Sequence, residues 1–159
     1  MFDTTIPNHA LFMANARRSV AQHAVDARYA EVTRADEIGP ALLRFAKAGV
    51  QALVLMPGQV LEVELQRIVK FALAIRWPVI AGQREWADEG ALLAYATDRS
   101  ALYRRAAHYV DRILRGAKPG DLPIEQPMTI ELVLNLKTAK ALGLTMPPEI
   151  MVRTDKIIE

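Results

Sequence analysis

Apolar positions along the chain follow two alternating rhythms: short runs that are apolar throughout, and longer stretches in which apolar residues return every three or four positions. The run VQALVLMPG, residues 50–58, is apolar on both faces apart from Gln51 and stops at Pro57-Gly58, which predicts a parallel strand covered on both sides. From Gln59 to Arg76, the residues Leu61, Leu65, Ile68, Ala72 and Ile75 recur at intervals of four, three, four and three. Glu62, Glu64, Arg67 and Lys70 take the remaining surface, so one amphipathic helix is predicted. WPVIAG (77–82) predicts a second buried strand, marked by Pro78 at its start and Gly82 at its end. Upstream, DARYAEV (26–32) reads as a strand and ADEIGPALLRFAKAG (35–49) as a helix that tolerates Pro40 near its first turn and ends at Gly49. The first helix is predicted over 8–24, capped from Thr5 or Asn8.

Beyond ALLAY (91–95), a long helix is predicted from Arg99 to Leu114, with Leu102, Ala106, Tyr109, Val110 and Ile113 turned inward and a close at Gly116. Residues 117–129, AKPGDLPIEQPMT, carry three prolines and a glycine and read as a linker. IELVL (130–134) is a short strand. Asn135 then offers an N-cap to a helix over Leu136–Leu142, with Leu136, Ala139 and Leu142 along one side. Gly143 supplies its stop, and Pro147-Pro148 opposes a restart. Strands alternating with helices imply right-handed crossovers, hence an α/β fold: a three-layer, Rossmann-like sandwich around a mostly parallel sheet. In such sheets ligands bind beyond the carboxyl ends of the strands, here the loops DTTIPN, PGQV, GQREW and YATD. One feature disturbs the pattern: only Met1 and Phe2 precede DTTIPN, so the first strand-helix unit begins in mid-strand.

The 159 residues, 52% of them hydrophobic, suffice for one substantial core. A net charge of +2 gives no electrostatic footprint for nucleic acid. The absence of cysteine excludes disulfides, thiolate metal sites and cysteine nucleophiles. No basic start followed by an apolar run marks a signal peptide, and no run approaches the ~20 apolar residues of a membrane span. The chain as written is therefore expected to be cytoplasmic.

Catalytic signals are sparse. His9, His23 and His108 are isolated, without metal-ligand spacing, and no nucleophile elbow, phosphate loop or dinucleotide fingerprint occurs. No cofactor or metal is expected, and an enzyme would rest on the charged GQREW loop alone. In GQREWADEG (82–90), Arg84 could meet a ligand carboxylate and Trp86 could stack on a ligand. The same residues equally suit a short surface helix, with Arg84 paired locally and Trp86 packed beneath it. YRRAAHYVDRILRGAK (103–118) collects five basic residues around an apolar stripe, which reads as a solvated helix face.

LYRRAAHYVDRILRGAKPGDLPIEQPMTIELVLNLKTAKALGLTMPPEIMVRTDKIIE, residues 102–159, resembles the closing section of ABC-transporter solute-binding proteins, the group that includes bacterial tryptophan- and tyrosine-binding proteins. GQREWADEGALLAY is similar to another segment of that family, and MFDTTIPNHA to the loop after the first strand of its second lobe. The resemblance implies a type I periplasmic binding protein fold. In it, two Rossmann-like lobes joined by hinge strands close around a small solute, and this chain matches the C-terminal lobe. It further implies residues 1–116 as the lobe with a truncated first strand, 117–129 as the hinge crossing and 130–159 as a strand-helix segment packed on the lobe. Thr4, Thr5, Gly58, Gln59, Gln83, Arg84 and Tyr95 would form one wall of the cleft. Helix starts after Thr5 and Gly58 would offer N–H groups to a ligand carboxylate. This sequence departs from the family at Ala94-Tyr95-Ala96, Gly90-Ala91 and Gly58, where serine or glycine, a glycine pair and a polar residue are usual.

The implied role is non-enzymatic: the solute-binding component of an importer, with a small solute such as an amino acid as ligand and an ABC permease as partner. The implied location is periplasmic or lipid-anchored outside the cytoplasm. The alternative is an orphan lobe that self-associates as an interaction or sensory module, a homodimer formed through the truncated sheet edge.

Overall fold

The computed structural model describes residues 1–23, 25–125 and 130–159. Ala24, where the first helix was predicted to end, and residues 126–129, the close of the predicted linker, lie outside them.

Among the described residues, seven strands and eight α-helices follow one another: β1 (Phe2–Asp3), α1 (His9–Gln22), β2 (Glu31–Val32), α2 (Ile38–Lys47), β3 (Leu53–Leu55), α3 (Gln59–Val63), α4 (Leu65–Ala74), β4 (Val79–Ala81), α5 (Glu85–Asp88), β5 (Leu93–Thr97), α6 (Arg99–Leu114), β6 (Ile130–Asn135), α7 (Leu136–Leu142), α8 (Pro148–Arg153) and β7 (Lys156–Ile158). β1 pairs in parallel with β2, and β3 to β7 form a second ladder in sequence order. Met1 joins the two ladders: its terminal amine donates to Val54 O at 2.6 Å, and its carbonyl accepts from Met56 N–H at 3.1 Å. β1 thus lies between β2 and β3, giving the order β2-β1-β3-β4-β5-β6-β7. All pairings are parallel except β5 with β6. The mostly parallel α/β sheet expected from the alternation is present.

The core forms where α2 and α4 cover the sheet. Ile38, Leu42, Leu61 and Ile68 are fully buried against Leu55, Val79 and Trp86. These are the positions of the predicted apolar stripes, and burial of each such side chain contributes about 1.5–3 kcal/mol. The single helix expected over 59–76 is interrupted for one residue at Glu64, and Ile75 falls past its end, exposed. The strand expected over 26–32 pairs only at Glu31 and Val32, because β1 offers just two residues for it to pair with. Val54 is half exposed and lines a cavity together with Ala16 and Val20 of α1, so β3 is not covered on both sides as its sequence predicts. Asn8 occupies the N-cap of α1 but makes no side-chain cap bond, and Thr5 turns instead to Asp3.

The C-terminal helix is bounded as its sequence requires. Asn135 Oδ1 accepts Thr138 N–H at 2.9 Å, and Gly143 ends α7 at φ 72°, a left-handed conformation natural to glycine. Pro147-Pro148 does the opposite of what was expected. Pro148 takes the first helical position of α8, where its missing N–H would have had no partner and its fixed φ suits the helix, so a new helix starts at once. It leads to β7, a strand the sequence reading missed.

The larger correction concerns α6. None of its residues is buried, and Leu102, Ala106, Val110 and Ile113 are exposed, with Tyr109 only half buried. The cause is topological. A crossover between parallel strands lays its helix over a sheet face, but β5 and β6 are antiparallel neighbours, with Thr97 opposite Ile130. Both ends of the excursion therefore leave from one end of the sheet, and α6 stays beyond it.

Candidate functional site

The strand order reverses between β1 and β3, the switch point at which open α/β sheets bind ligands beyond their strand ends. Asp3 organises that point. It is fully buried; Oδ1 accepts Thr5 N–H at 2.8 Å and Thr5 Oγ1–H at 2.6 Å, while Oδ2 accepts Val60 N–H at 2.8 Å, in the first turn of α3. Burial by itself raises the Asp3 pKa, but the Thr5 hydroxyl, the Val60 N–H and the Thr5 N–H together outweigh it and hold the carboxyl below its ordinary range. Of the N–H groups at the helix start after Gly58, which were expected to face a ligand carboxylate, that of Val60 is thus engaged by a carboxylate of the chain itself. A Cβ on Gly58 would sit 2.2 Å from Asp3 Cβ, so only glycine lets the β3–α3 loop close over β1. Thr4 turns the other way and shares a hydrogen bond of 2.7 Å with Thr33 at the end of β2.

The next loops bring a second group together. Gly82 lies against Pro57, with a built Cβ only 2.6 Å from the ring, which holds the loops after β3 and β4 side by side. Gln83 Oε1 accepts from Arg99 at 3.4 Å. Tyr103, one turn along α6, raises the Arg99 pKa above the usual value, with smaller contributions from Glu85 and Glu62. Arg84 Nε lies 3.0 Å from Glu131 Oε2 on β6, and both side chains are about a quarter to a third exposed. Of the two readings open for GQREW, local packing holds for Trp86: it is 2% exposed, so it offers no stacking surface to a ligand.

Thr5, Gly58 and the first turn of α3, which Gln59 opens, therefore gather around Asp3 while Thr4 faces Thr33, and Gln83 and Arg84 form a neighbouring group with Arg99 and Glu131. Tyr95 stands apart on β5, opposite Leu132, 59% exposed and without a hydrogen bond among the described residues. Asp3, Thr33, Arg99 and Glu131 were not singled out from the sequence. Asp3 carried a usable signal, an acid at a predicted strand end followed by two threonines. Glu131 carried none, because its partner lies 47 positions away. Among the described residues no group of three or more His, Asp or Glu side chains is placed to hold a metal ion.

The fold is thus a Rossmann-like lobe with its loops gathered at the switch point and an antiparallel strand pair that leads out of it. The sequence pattern of the family described as ABC transporter substrate binding protein matches residues 8–158, and the chain belongs to that family. Its fold is shared with a conserved domain protein from Vibrio cholerae, at TM-score 0.87 and 20% identity over 98% of this chain and 52% of that one. An ABC domain from Streptococcus pneumoniae, solved in complex with L-Trp, superposes at TM-score 0.86 and 18% identity, over 99% of this chain and 53% of that one. A ligand-free, open substrate-binding protein with adhesive properties from Clostridium difficile superposes at 0.73 and 17% identity, over 99% and 52%. The chain spans about half the length of these solved proteins. Among curated proteins nothing matches the sequence.

Proposed function

We propose that this chain is the C-terminal lobe of the solute-binding component of an ABC-type importer, and that it forms one wall of a cleft for a small solute, such as an amino acid. The observation that carries this reading is α6. A sixteen-residue helix with an apolar stripe leaves the carboxyl end of the sheet on paired strands and, among the described residues, buries none of its side chains, although Arg99 in its first turn meets Gln83. Such a helix suits a second lobe across the cleft, and the solved proteins of similar fold are about twice as long. In this reading residues 1–97 and 130–159 make the lobe, and α6 with residues 115–125 lies outside it.

Thr4, Thr5, Gly58, Gln59, Gln83, Arg84 and Tyr95 are the positions we assign to the wall. Arg84 is the candidate for a ligand carboxylate, since a guanidinium presents five donors and its contact with Glu131 is made through Nε. The role is non-catalytic, on the outer side of the membrane, and it ends in delivery to a permease after the lobes close. No helix among the described residues is long and apolar enough to cross a membrane.

Half the contacts give weak binding, since affinity falls about tenfold for each ~1.4 kcal/mol lost. An NMR titration of the isotope-labelled chain with L-tryptophan, other amino acids and small carboxylates tests this. Shifts confined to the loops after β1, β3, β4 and β5, saturating only at millimolar concentration, are expected. Shifts confined to other surfaces would refute the site, and saturable stabilisation at micromolar concentration would refute the half-site.

The exposed stripe on α6 also favours a second reading, a self-associating module. Light scattering separates the two: a clean monomer at high micromolar concentration removes the second.

A further inference from the structure

Glu131 is held more firmly than an ion partner on a loop would be. It stands opposite Ala96 in the antiparallel ladder of β5 and β6. The next residue is fixed from the β7 side: Leu132 N–H donates to Asp155 Oδ2 at 2.8 Å, and Asp155 N–H donates to Leu132 O at 2.9 Å. Arg84 is fixed from another direction. It precedes the first turn of α5, which the buried Trp86 anchors two residues on.

The contact between these two held side chains is incomplete. Arg84 Nε and Glu131 Oε2 are 3.0 Å apart and both shut off from solvent, yet the Nε–H is not aimed along the contact, so neither atom makes a hydrogen bond among the described residues. The side chains are nevertheless 31% and 25% exposed, and that exposure belongs to their other atoms. A desolvated ion pair recovers its lost hydration only when its remaining donors and acceptors are satisfied. The Nη groups of Arg84 and Oε1 of Glu131 are those donors and acceptors. Across the ladder, Ala96 adds only a methyl beside Glu131.

We propose that Glu131 is a specificity-determining residue of the solute wall, selecting a zwitterionic α-amino acid over a simple carboxylate. Such a ligand carries its carboxylate and its ammonium on one carbon, so its two charges stand side by side as those of a contact ion pair do. The carboxylate accepts from the Arg84 Nη groups, and the ammonium donates to Glu131 Oε1. A ligand with a carboxylate alone meets a guanidinium that is already neutralised and a second anion beside it, so Glu131 acts against it as a repulsive element. This assignment rests on the reading of the chain as a solute-binding lobe and deepens it.

The probes are L-tryptophan and indolepropionate, which differ by the amino group, titrated into the isotope-labelled chain and followed at the wall amides and the Arg84 Nε–H signal. The parent chain is expected to bind L-tryptophan about tenfold more tightly, the worth of one charged hydrogen bond. Glu131→Gln is expected to abolish that preference and to bind indolepropionate more tightly than the parent does, because it frees the guanidinium. A merely structural role for Glu131 would weaken both compounds alike. Equal affinity of the parent for the two compounds, which needs no variant to measure, would overturn the proposal and leave the wall in place, as would a preference that survives in Glu131→Gln. Binding of both compounds unaffected by Arg84→Gln, or no shift at the wall from either at millimolar concentration, would overturn the wall itself and this assignment with it.

Discussion

Asp3 and Val60 stand 57 positions apart and are joined by a single hydrogen bond of 2.8 Å, from the first turn of α3 to the carboxylate that ends β1. With the Thr5 bonds, it ties the two strand ends at the switch point into one unit, so the geometry of the proposed wall depends on a side chain that faces no solvent.

Gly58→Ala tests how tightly that unit is closed. The added methyl falls on Asp3 Cβ, and overpacking of this kind costs about 1–3 kcal/mol. Urea unfolding of Gly58→Ala, of Asp3→Gly and of the double variant is expected to show strong non-additivity, because Asp3→Gly removes the atom the methyl strikes.

Replacing Asp3 with asparagine removes the charge from three donors, and a loss of about 1–3 kcal/mol at neutral pH is expected. The folded-state pKa lies below the unfolded one, so the contribution is present above the unfolded carboxylate pKa and disappears as pH falls through the folded value. Stability measured from pH 7 down to pH 2 is expected to decline less in Asp3→Asn than in the parent chain.

The Met1 amine works with the other sign of charge. Burial lowers its pKa from 8.0 to about 5, so the folded state favours the neutral form. Its contribution is greatest above pH 8 and falls as the pH drops towards 5, because only the unfolded chain takes up the proton there. The change amounts to up to about 4 kcal/mol. Asp26 and Arg28, which line one cavity with Met1, pair with each other. Chemical acetylation of the amine is expected to flatten the stability curve between pH 5 and pH 8, and unchanged curvature in that window would refute the assignment.

Polar substitution on α6 separates an exposed stripe from a core. Leu102→Gln, Val110→Gln and Ile113→Gln are each expected to change stability by less than about 0.5 kcal/mol, whereas Ile68→Ala at the centre of α4 is expected to cost about 2–5 kcal/mol. Thermal denaturation of the four variants checks the contrast.

Asn135 does more than begin a helix. Its oxygen caps α7 and its Nδ2 donates to Ala87 O at 2.8 Å, so a buried residue ties the C-terminal segment to α5. Asn135→Ala is expected to lose about 2 kcal/mol, while Asn135→Asp, which keeps the cap and loses the donor, falls between; chemical denaturation ranks them.

What the sequence disclosed was periodicity and punctuation. Leu61, Ile68 and Ala72 appear on the buried side of their helix because a local rhythm is enough to place them, and Asn135 and Gly143 bound α7 because capping is decided within a few residues. What it withheld was pairing. The apolar stripe of α6 has the same rhythm as that of α4, yet one is buried and the other bare, because the direction of β6 relative to β5 determines where the helix lies. Pro148 reads as a breaker until its position relative to the helix start is known. Around the candidate site, Thr4 and Arg84 could be named from the loops they occupy, but Asp3 with Val60 and Arg84 with Glu131 depend on contacts that no short window contains.

The paired strands β5 and β6 also have a mechanical meaning. α6, sixteen residues and about 24 Å long, is a lever arm anchored at the Thr97–Ile130 pair. Glu131 is the next residue beyond that anchor, and it holds Arg84. A wide swing at the tip of the helix arrives at this fulcrum as a small twist under high force, and one ion pair beside the proposed wall is where that twist is opposed or felt.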